Sequence, residues 1–272
     1  MTGVDADRVR ITMDEGVAVV TLARPDKHNA LDEAMIDSIS AAAVRLGEDA
    51  SVRAVVLHGQ GPSFCSGLDL ERLRRKAVNP RALVDAPDPL GNWAQRAARG
   101  WSVLPVPVIA AVHGNCLGGG AQLALGADLR LAAPDARISI LEIAWGLVPD
   151  MGLTHHLPRL VPFDVAFELT VTGRILSGTE AAQLGLVTRT TPDPLQESLR
   201  LAREIAGKSP DAIRAAKRLL HDTWNRNDPS AVLLREATLQ QRLIRQPNQI
   251  AAVAAGMAGE PARFADPTVD LT

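Results

Sequence analysis

The chain has 272 residues, 46% of them apolar, and a formal net charge of −2, a composition typical of a globular protein with one large aliphatic core. This balanced charge excludes binding to nucleic acid or membrane surfaces through bulk electrostatics. The two cysteines argue against a disulfide scaffold, no apolar run is long enough for a membrane-spanning helix, and we expect a cytoplasmic protein.

Strand and helix patterns alternate through the first 160 residues or so. Two β runs over residues 9–13 and 17–22 are joined by Asp-Glu-Gly, which predicts a hairpin. Further strands are predicted over 54–57, 106–112, 129–132 and 138–140, and helices over 32–46 and 121–126. This alternation predicts an α/β fold with crossover connections.

After about Pro162 the pattern changes to successive helices, predicted over 179–184, 195–206, 210–224 and 229–245. We therefore predict a main domain over residues 1–207 and a helical region over 208–272 that packs on that domain or on another subunit. The stretch 78–91 is rich in Pro and Asp and predicts a surface loop. The densest basic cluster, formed by Arg72, Arg74, Arg75 and Lys76, is predicted to be a solvated helix face, with a phosphate-binding role as the weaker alternative.

A glycine-rich stretch over residues 113–120, His-Gly-Asn-Cys-Leu-Gly-Gly-Gly, lies between a predicted strand and a predicted helix. Three consecutive glycines let the backbone turn tightly and approach a ligand closely, and a helix starting there presents free amides. Such a place suits a phosphate or a developing oxyanion, although a close-packed turn is the simpler alternative. The glycine spacing does not fit a dinucleotide-binding fingerprint.

A second stretch over residues 61–70, Gly-Pro-Ser-Phe-Cys-Ser-Gly-Leu-Asp-Leu, also follows a strand and opens a helix. On its own it indicates only a turn, but beside the glycine triplet it is a second potential amide donor. Two amides that converge on one oxygen form an oxyanion hole, in which each donor typically contributes ~3–4 kcal/mol to the transition state.

These two stretches, in this order and roughly 50 residues apart, resemble the paired oxyanion-hole motifs of the enoyl-CoA hydratase/isomerase (crotonase) family. The resemblance covers nearly the whole chain. Arg24-Pro25 followed by Asn29-Ala30-Leu31 resembles the coenzyme A-binding loop of the family. Later similarities are Thr172-Gly173-Arg174, Ala181-Ala182, Gly185-Leu186-Val187 and Pro261-Ala262-Arg263-Phe264.

The resemblance implies a spiral fold of repeated β-β-α turns and a C-terminal helical region used for trimers, which often pair into hexamers. It implies an enolate of an acyl-CoA thioester held by the backbone amides of Leu68 and Gly119. No metal or redox cofactor is implied, because coenzyme A arrives as part of the substrate. The residues it assigns to substrate and coenzyme A binding are Lys27, His28, Ala30, Ser66, Gly67, Asp69, Leu70 and Gly118.

The acidic residues depart from the pattern of a typical hydratase of this family. The two positions that carry catalytic carboxylates in such a hydratase match Gln122 and Glu142 here, and Gln122 cannot exchange a proton near neutral pH. It can hold a water or a substrate by hydrogen bonding. Asp150 stands where typical hydratases have a small residue, and the dienoyl-CoA isomerase branch resembles this chain in carrying Asp there.

Glu142 and Asp150 are therefore the predicted proton carriers, since moving a double bond needs one proton removed and another delivered at a different carbon. Their simpler alternatives are a capping carboxylate for Glu142 and a turn residue after Pro149 for Asp150. Double-bond isomerisation is slightly favoured. An enoyl-CoA hydratase that relies on Glu142 alone stays open, as does a catalytically silent acyl-CoA-binding protein.

Other polar and aromatic residues give weaker signals. His113 is expected to pack or to bond to backbone, and His155 and His156 have no third ligand at a spacing that suits zinc. Cys65 and Cys116 are expected to be small buried residues rather than nucleophiles. Core packing is the favoured interpretation of Trp93 and Trp101.

Overall fold

The computed structural model describes residues 8–71, 84 and 88–271, and these residues form an α/β fold. The strands are β1 (Val9–Asp14), β2 (Val17–Leu22), β3 (Ala54–Gly59), β4 (Val108–Val112), β5 (Asn115–Leu117), β6 (Leu129–Ala132), β7 (Arg137–Ser139), β8 (Leu176–Ser177) and β9 (Arg189–Thr190). The α-helices are α1 (Glu33–Glu48), α2 (Trp93–Ser102), α3 (Gly119–Leu125), α4 (Leu153–His156), α5 (Phe163–Thr172), α6 (Gly178–Leu184), α7 (Pro194–Ala206), α8 (Pro210–Thr223), α9 (Pro229–Leu243) and α10 (Pro247–Ala258).

The strands form two sheets. A six-stranded sheet has the order β1-β2-β3-β4-β6-β9, in which β1 and β2 make the predicted antiparallel hairpin and the remaining pairs are parallel. A three-stranded sheet has the order β5-β7-β8. Both β4-β5 and β6-β7 pass from the large sheet to the small one before a helical segment follows, so consecutive turns of chain repeat one β-β-α order, as the resemblance implies.

Aliphatic side chains fill both sides of the large sheet, as expected for a chain with few aromatic residues. The larger cluster includes Leu22, Ile39, Leu57 and Leu123 together with Trp101, which is fully buried. On the other face α7 covers the sheet, packing Leu199 and Ile205 against strand residues such as Val56 and Ile109. Trp101 is therefore a core residue, as predicted.

Two elements correct the sequence expectation. The prediction of successive helices after Pro162 is wrong for β8 and β9, which have two residues each and are too short to show a strand periodicity. Helix α3 begins at Gly119 rather than at residue 121, inside the glycine triplet. The basic cluster at Arg72, Arg74, Arg75 and Lys76, and most of the predicted loop over 78–91, lie outside the described residues.

The helical C-terminal region consists of α8, α9 and α10, and buried polar contacts fix it to the rest of the chain. Lys217 on α8 donates hydrogen bonds to the backbone oxygen of Val106 at 2.9 Å and to Asp128 at 2.6 Å. No helix in the described part of the chain is long and apolar enough to cross a membrane. The boundary at residue 207 stays a prediction.

Candidate active site

The two glycine-containing stretches predicted from the sequence lie against each other. Single backbone bridges pair Leu31 with Leu68 and Cys65 with Cys116, which joins the early loop, the first stretch and β5. Gly67 has φ of +86°, and a β carbon there would lie only 2.5 Å from the carbonyl oxygen of Leu117. This close approach requires glycine, since a side chain would collide with backbone that cannot yield.

Two backbone amides remain available beside this contact. Gly119 is the first residue of α3, preceded by Gly118 with φ of +51°, and the amides of Leu68 and Gly119 donate no hydrogen bond within the described part of the chain. A β carbon built on Gly67, the neighbour of Leu68, would lie 3.4 Å from the nitrogen of Gly119. The Leu68 and Gly119 amides therefore lie in the same region of the structure.

The early loop packs directly on the first stretch. His28 and Asn29 adopt left-handed backbone conformations, with φ of 50° and 56°. The buried Asn29 amide donates to the backbone oxygens of Ser63 at 2.8 Å and Phe64 at 3.2 Å, and His28 accepts from the Ser66 amide at 2.9 Å. The loop is thus held by its backbone and by Asn29, which the sequence did not single out as a supporting residue.

An ion pair secures the other end of this contact. Arg24 donates to the Asp69 carboxylate at 2.8 Å and to the backbone oxygen of Ala30 at 3.1 Å. Burial alone would raise the pKa of Asp69, but its hydrogen bonds with Arg24 and the Glu71 amide outweigh burial and lower this pKa. The structure brings together the residues predicted to bind substrate and coenzyme A: Lys27, His28, Ala30, Ser66, Gly67, Asp69, Leu70 and Gly118.

Gln122 and Glu142 are hydrogen-bonded to each other. The Gln122 amide nitrogen donates to Glu142 Oε1 at 2.7 Å, and the Gln122 amide oxygen accepts from the Met151 backbone at 2.8 Å. Gln122 projects from α3, whereas Glu142 begins a short 3₁₀ helix (Glu142–Trp145) after β7. Glu142 Oε2 is buried and has no hydrogen-bond partner within the described part of the chain.

The carboxylate of Glu142 lies over the glycine turn. A β carbon on Gly118 would come within 3.2 Å of Glu142 Oε1, and one on Gly119 would come within 2.9 Å of the Met151 sulfur. Burial raises the pKa of Glu142, and the charge of Asp150 raises it further, although the hydrogen bond from Gln122 opposes both. Glu142 is thus a carboxyl of raised pKa that lies against the glycine turn.

Asp150, the second predicted proton carrier, lies directly before Met151. Its side chain keeps an exposed surface, yet the protein atoms around it still displace enough water that burial raises the pKa of its carboxyl. The structure therefore places Gln122 and Glu142 at the glycine turn, with Asp150 one residue before the Met151 amide that Gln122 binds. The hydrogen bond from the Met151 backbone amide to Gln122 could not be predicted from the sequence, because a backbone amide is not tied to a residue type.

The weaker candidates have structural contacts. His113 bonds to the backbone oxygen of Gly61 at 2.9 Å, as expected. Cys65 and Cys116 are buried, and burial raises the pKa of the Cys65 thiol to about 12, so neither is poised as a thiolate. Trp93 donates a hydrogen bond to Asp37.

Comparison with known proteins gives consistent matches. The family model described as enoyl-CoA hydratase/isomerase matches residues 12–258. A probable enoyl-CoA hydratase of Bacillus subtilis (strain 168) is 32% identical over 216 residues, covering 78% of this chain and 81% of the relative. The mitochondrial Delta(3,5)-Delta(2,4)-dienoyl-CoA isomerase of Homo sapiens is 34% identical over 221 residues, covering 78% and 67%.

Solved structures share the whole fold. The crystal structure of a putative enoyl-CoA hydratase from Streptomyces coelicolor A3(2) superposes with a TM-score of 0.87 at 32% identity, covering 96% of this chain and 94% of that chain. A probable enoyl-CoA hydratase/isomerase from Mycobacterium abscessus gives a TM-score of 0.85 at 34% identity, covering 95% and 99%.

Proposed function

This chain belongs to the enoyl-CoA hydratase/isomerase family of acyl-CoA enzymes, and we propose that it moves a double bond within an unsaturated acyl-CoA thioester. The observation that carries this proposal is the presence of two acids at the glycine turn: Glu142 lies against Gly118, and Asp150 directly precedes Met151, whose side chain packs over Gly119. Burial raises the pKa of both carboxyls. At the position where a typical hydratase of this family carries its other acid, this chain has Gln122, which does not titrate.

The amides of Leu68 and Gly119 form the proposed oxyanion hole. When a proton leaves the carbon chain, the electron pair of the broken C–H bond enters the conjugated system and negative charge develops on the thioester oxygen. Two preorganised amides stabilise this charge without reorganisation, which is the largest single contribution in many reactions of this type. The loop with Lys27, His28 and Ala30 is the proposed contact for coenzyme A.

The acids transfer the protons. One carboxylate, Glu142 or Asp150, takes a proton from one carbon, and the other, as the acid, gives a proton to a different carbon, after which the enolate returns to a thioester. The product has the mass of the substrate, because one proton leaves the carbon chain and one enters it. The base is then protonated and the acid ionised, and proton transfer from the base to the acid restores both, with the exposed Asp150 open to exchange with solvent. Burial raises the pKa of both carboxyls, which brings each closer to neutral pH than a solvated carboxyl and favours this exchange.

Hydration of a 2-enoyl-CoA is the second candidate. It is favoured by the unpartnered oxygen of Glu142, which can activate a water, and by relatives that are named as enoyl-CoA hydratases. In this alternative Glu142 does the acid-base work alone and Asp150 does not take part in the reaction.

The test is incubation of the purified protein with 2-enoyl-, 3-enoyl- and 3,5-dienoyl-CoA thioesters, with products identified by mass and ultraviolet spectrum. The proposal predicts products of unchanged mass with a shifted double bond. Faster conversion of the 2-enoyl thioester to a product heavier by one water would support the hydratase instead. Binding of these thioesters without turnover of any would support a silent binding protein.

A further inference from the structure

Both polar ends of the Gln122 amide are occupied by the protein. Its nitrogen donates to Glu142 Oε1 at 2.7 Å and its oxygen accepts from the Met151 backbone at 2.8 Å, while the side chain itself is buried. The sequence suggests that this residue holds a water or a substrate. The observed bonds instead direct both ends toward two parts of the candidate site.

The bond to Glu142 makes its two carboxylate oxygens unequal. Oε1 faces an N–H donor, so a proton on that oxygen would meet another hydrogen, whereas Oε2 is buried without a partner in the described part of the chain. A carboxyl in this arrangement carries its proton on Oε2 when neutral. The same oxygen is then the one free to accept a proton when Glu142 is ionised.

The bond to Met151 fixes the second acid. Met151 follows Asp150 directly, so holding its backbone amide restrains the loop that carries Asp150. The Met151 side chain also packs over Gly119, since a β carbon there would lie 2.9 Å from the Met151 sulfur. One amide side chain thus connects helix α3, which begins at Gly119, with both acids.

We propose that Gln122 is a positioning residue that assigns proton transfer to Oε2 of Glu142 and holds the loop of Asp150 at a fixed place relative to it. This inference rests on the proposed function, because it gives a role to Gln122 only if Glu142 and Asp150 move protons. A residue that acts in this way affects the rate of the chemical step and its pH dependence more than substrate binding.

The test replaces Gln122 by Met, which has a similar length and neither donor nor acceptor of comparable strength. The matched control is Gln95→Met, which removes a side-chain amide that accepts from the Asn92 backbone in the capping box of α2 rather than bonding to Glu142 or Met151. The readouts are kcat and KM for double-bond migration, the pH dependence of kcat/KM, and the affinity for coenzyme A.

Gln122→Met should lower kcat by about 10–100-fold, as expected for loss of a hydrogen bond to a charged group, with KM and coenzyme A affinity close to wild type. The limb of the kcat/KM profile that reports Glu142 should move to higher pH, because the hydrogen bond lost in this variant favours ionised Glu142. Among the described residues, Asp150 is the charged group that also acts on Glu142, and its negative charge likewise raises the pKa of Glu142. Gln95→Met should change neither kcat nor the pH profile of kcat/KM.

If Gln122→Met does not fold, Gln122→Glu takes its place. This variant keeps the acceptor for Met151 but puts a second carboxylate beside Glu142, so the limb that reports Glu142 should again move to higher pH. A folded Gln122 variant with an unmoved limb and normal kcat would contradict the positioning role. If Glu142→Gln is inactive in the same assay, the proposed function survives that result. If Glu142→Gln is fully active, the proposed function itself fails.

Discussion

At the scale of single residues, Gly119 combines two demands. Its amide donates no hydrogen bond to the described residues, and its α carbon lies so close to Leu31 and Met151 that a β carbon would come within 2.9 Å of either side chain. Both neighbours end in flexible atoms, so a small substitution there should be tolerated with a shift. Substitutions at Gly119 can therefore test the role of its N–H separately from the packing around its α carbon.

Replacing Gly119 by Pro should lower turnover by about 10²–10³-fold, since one oxyanion donor is lost. Proline is accepted at the first position of a helix, which favours folding of this variant. Gly119→Ala is the matched control, because it adds the same β carbon and keeps the N–H. Steady-state kinetics should show Gly119→Pro far below Gly119→Ala, and equal rates for the two folded variants would remove Gly119 from the oxyanion hole.

The sequence predicted much of the site at this scale, because glycines at tight turns and carboxylates have residue types that can be recognised. It did not predict the bonds that arrange them. Gln122 reaches Glu142 across 20 positions and Met151 across 29, and no local pattern encodes a contact of that separation. Asn29 was visible as part of a resembling loop, but its three bonds to backbone oxygens depend on the folded position of residues 60–64.

At the scale of elements, helix α8 is attached to the large sheet through a buried ion pair. Lys217 contacts Asp128, whose carboxylate also accepts from the Val108 amide at 2.8 Å and lies 3.2 Å from His221 Nε2. Burial alone would raise the pKa of Asp128, but hydrogen bonds and the charge of Lys217 outweigh it and lower this pKa. The resulting stabilisation is present above the pKa of Asp128 in the unfolded chain and is lost as pH falls through the lowered value.

Lys217→Met should lower the free energy of unfolding by about 3–5 kcal/mol at neutral pH, because it leaves the Asp128 carboxylate buried without its cation. Adding Asp128→Asn should recover a large part of this loss. Urea unfolding is the measurement, and Arg200→Met, which breaks exposed pairs on α7, is the control that should leave the midpoint unchanged. A Lys217→Met midpoint equal to that of Arg200→Met would show that the pair does not anchor α8.

The elements themselves were predicted where their periodicity was long enough to be read. Helices α7, α8 and α9 begin within one residue of their predicted starts, because each opens with proline after a capping residue. Strands β8 and β9 were missed, since two residues carry no alternation. The spiral order of sheets was implied by the resemblance alone, as periodicity does not encode which strands pair.

At the scale of the whole molecule, the C-terminal helices leave apolar side chains exposed on the single chain. Leu233 and Leu234 on α9 are exposed, as are Ile250, Val253 and Met257 on α10, where the spacing places the last three along one side of the helix. We propose that this surface is buried between subunits, in the trimer or hexamer implied by the family resemblance.

Sedimentation at micromolar concentration should therefore give a trimer or hexamer. Ile250→Lys together with Val253→Lys should shift the protein toward smaller species, because charge at a buried apolar contact is costly. Val44→Lys, at an exposed position on α1, is the matched control and should leave the assembly unchanged. A wild-type protein that sediments strictly as a monomer would contradict the proposed assembly.

The most direct test of the central claim compares wild type with Asp150→Asn in double-bond migration and in water addition to a 2-enoyl-CoA, measured on the same preparations. If Glu142 and Asp150 both carry protons, Asp150→Asn should lower migration by about 10²–10⁴-fold while coenzyme A binding survives. Wild type that hydrates the 2-enoyl thioester rapidly, with Asp150→Asn indistinguishable from it in both reactions, would contradict the isomerase assignment and identify a hydratase that depends on Glu142 alone.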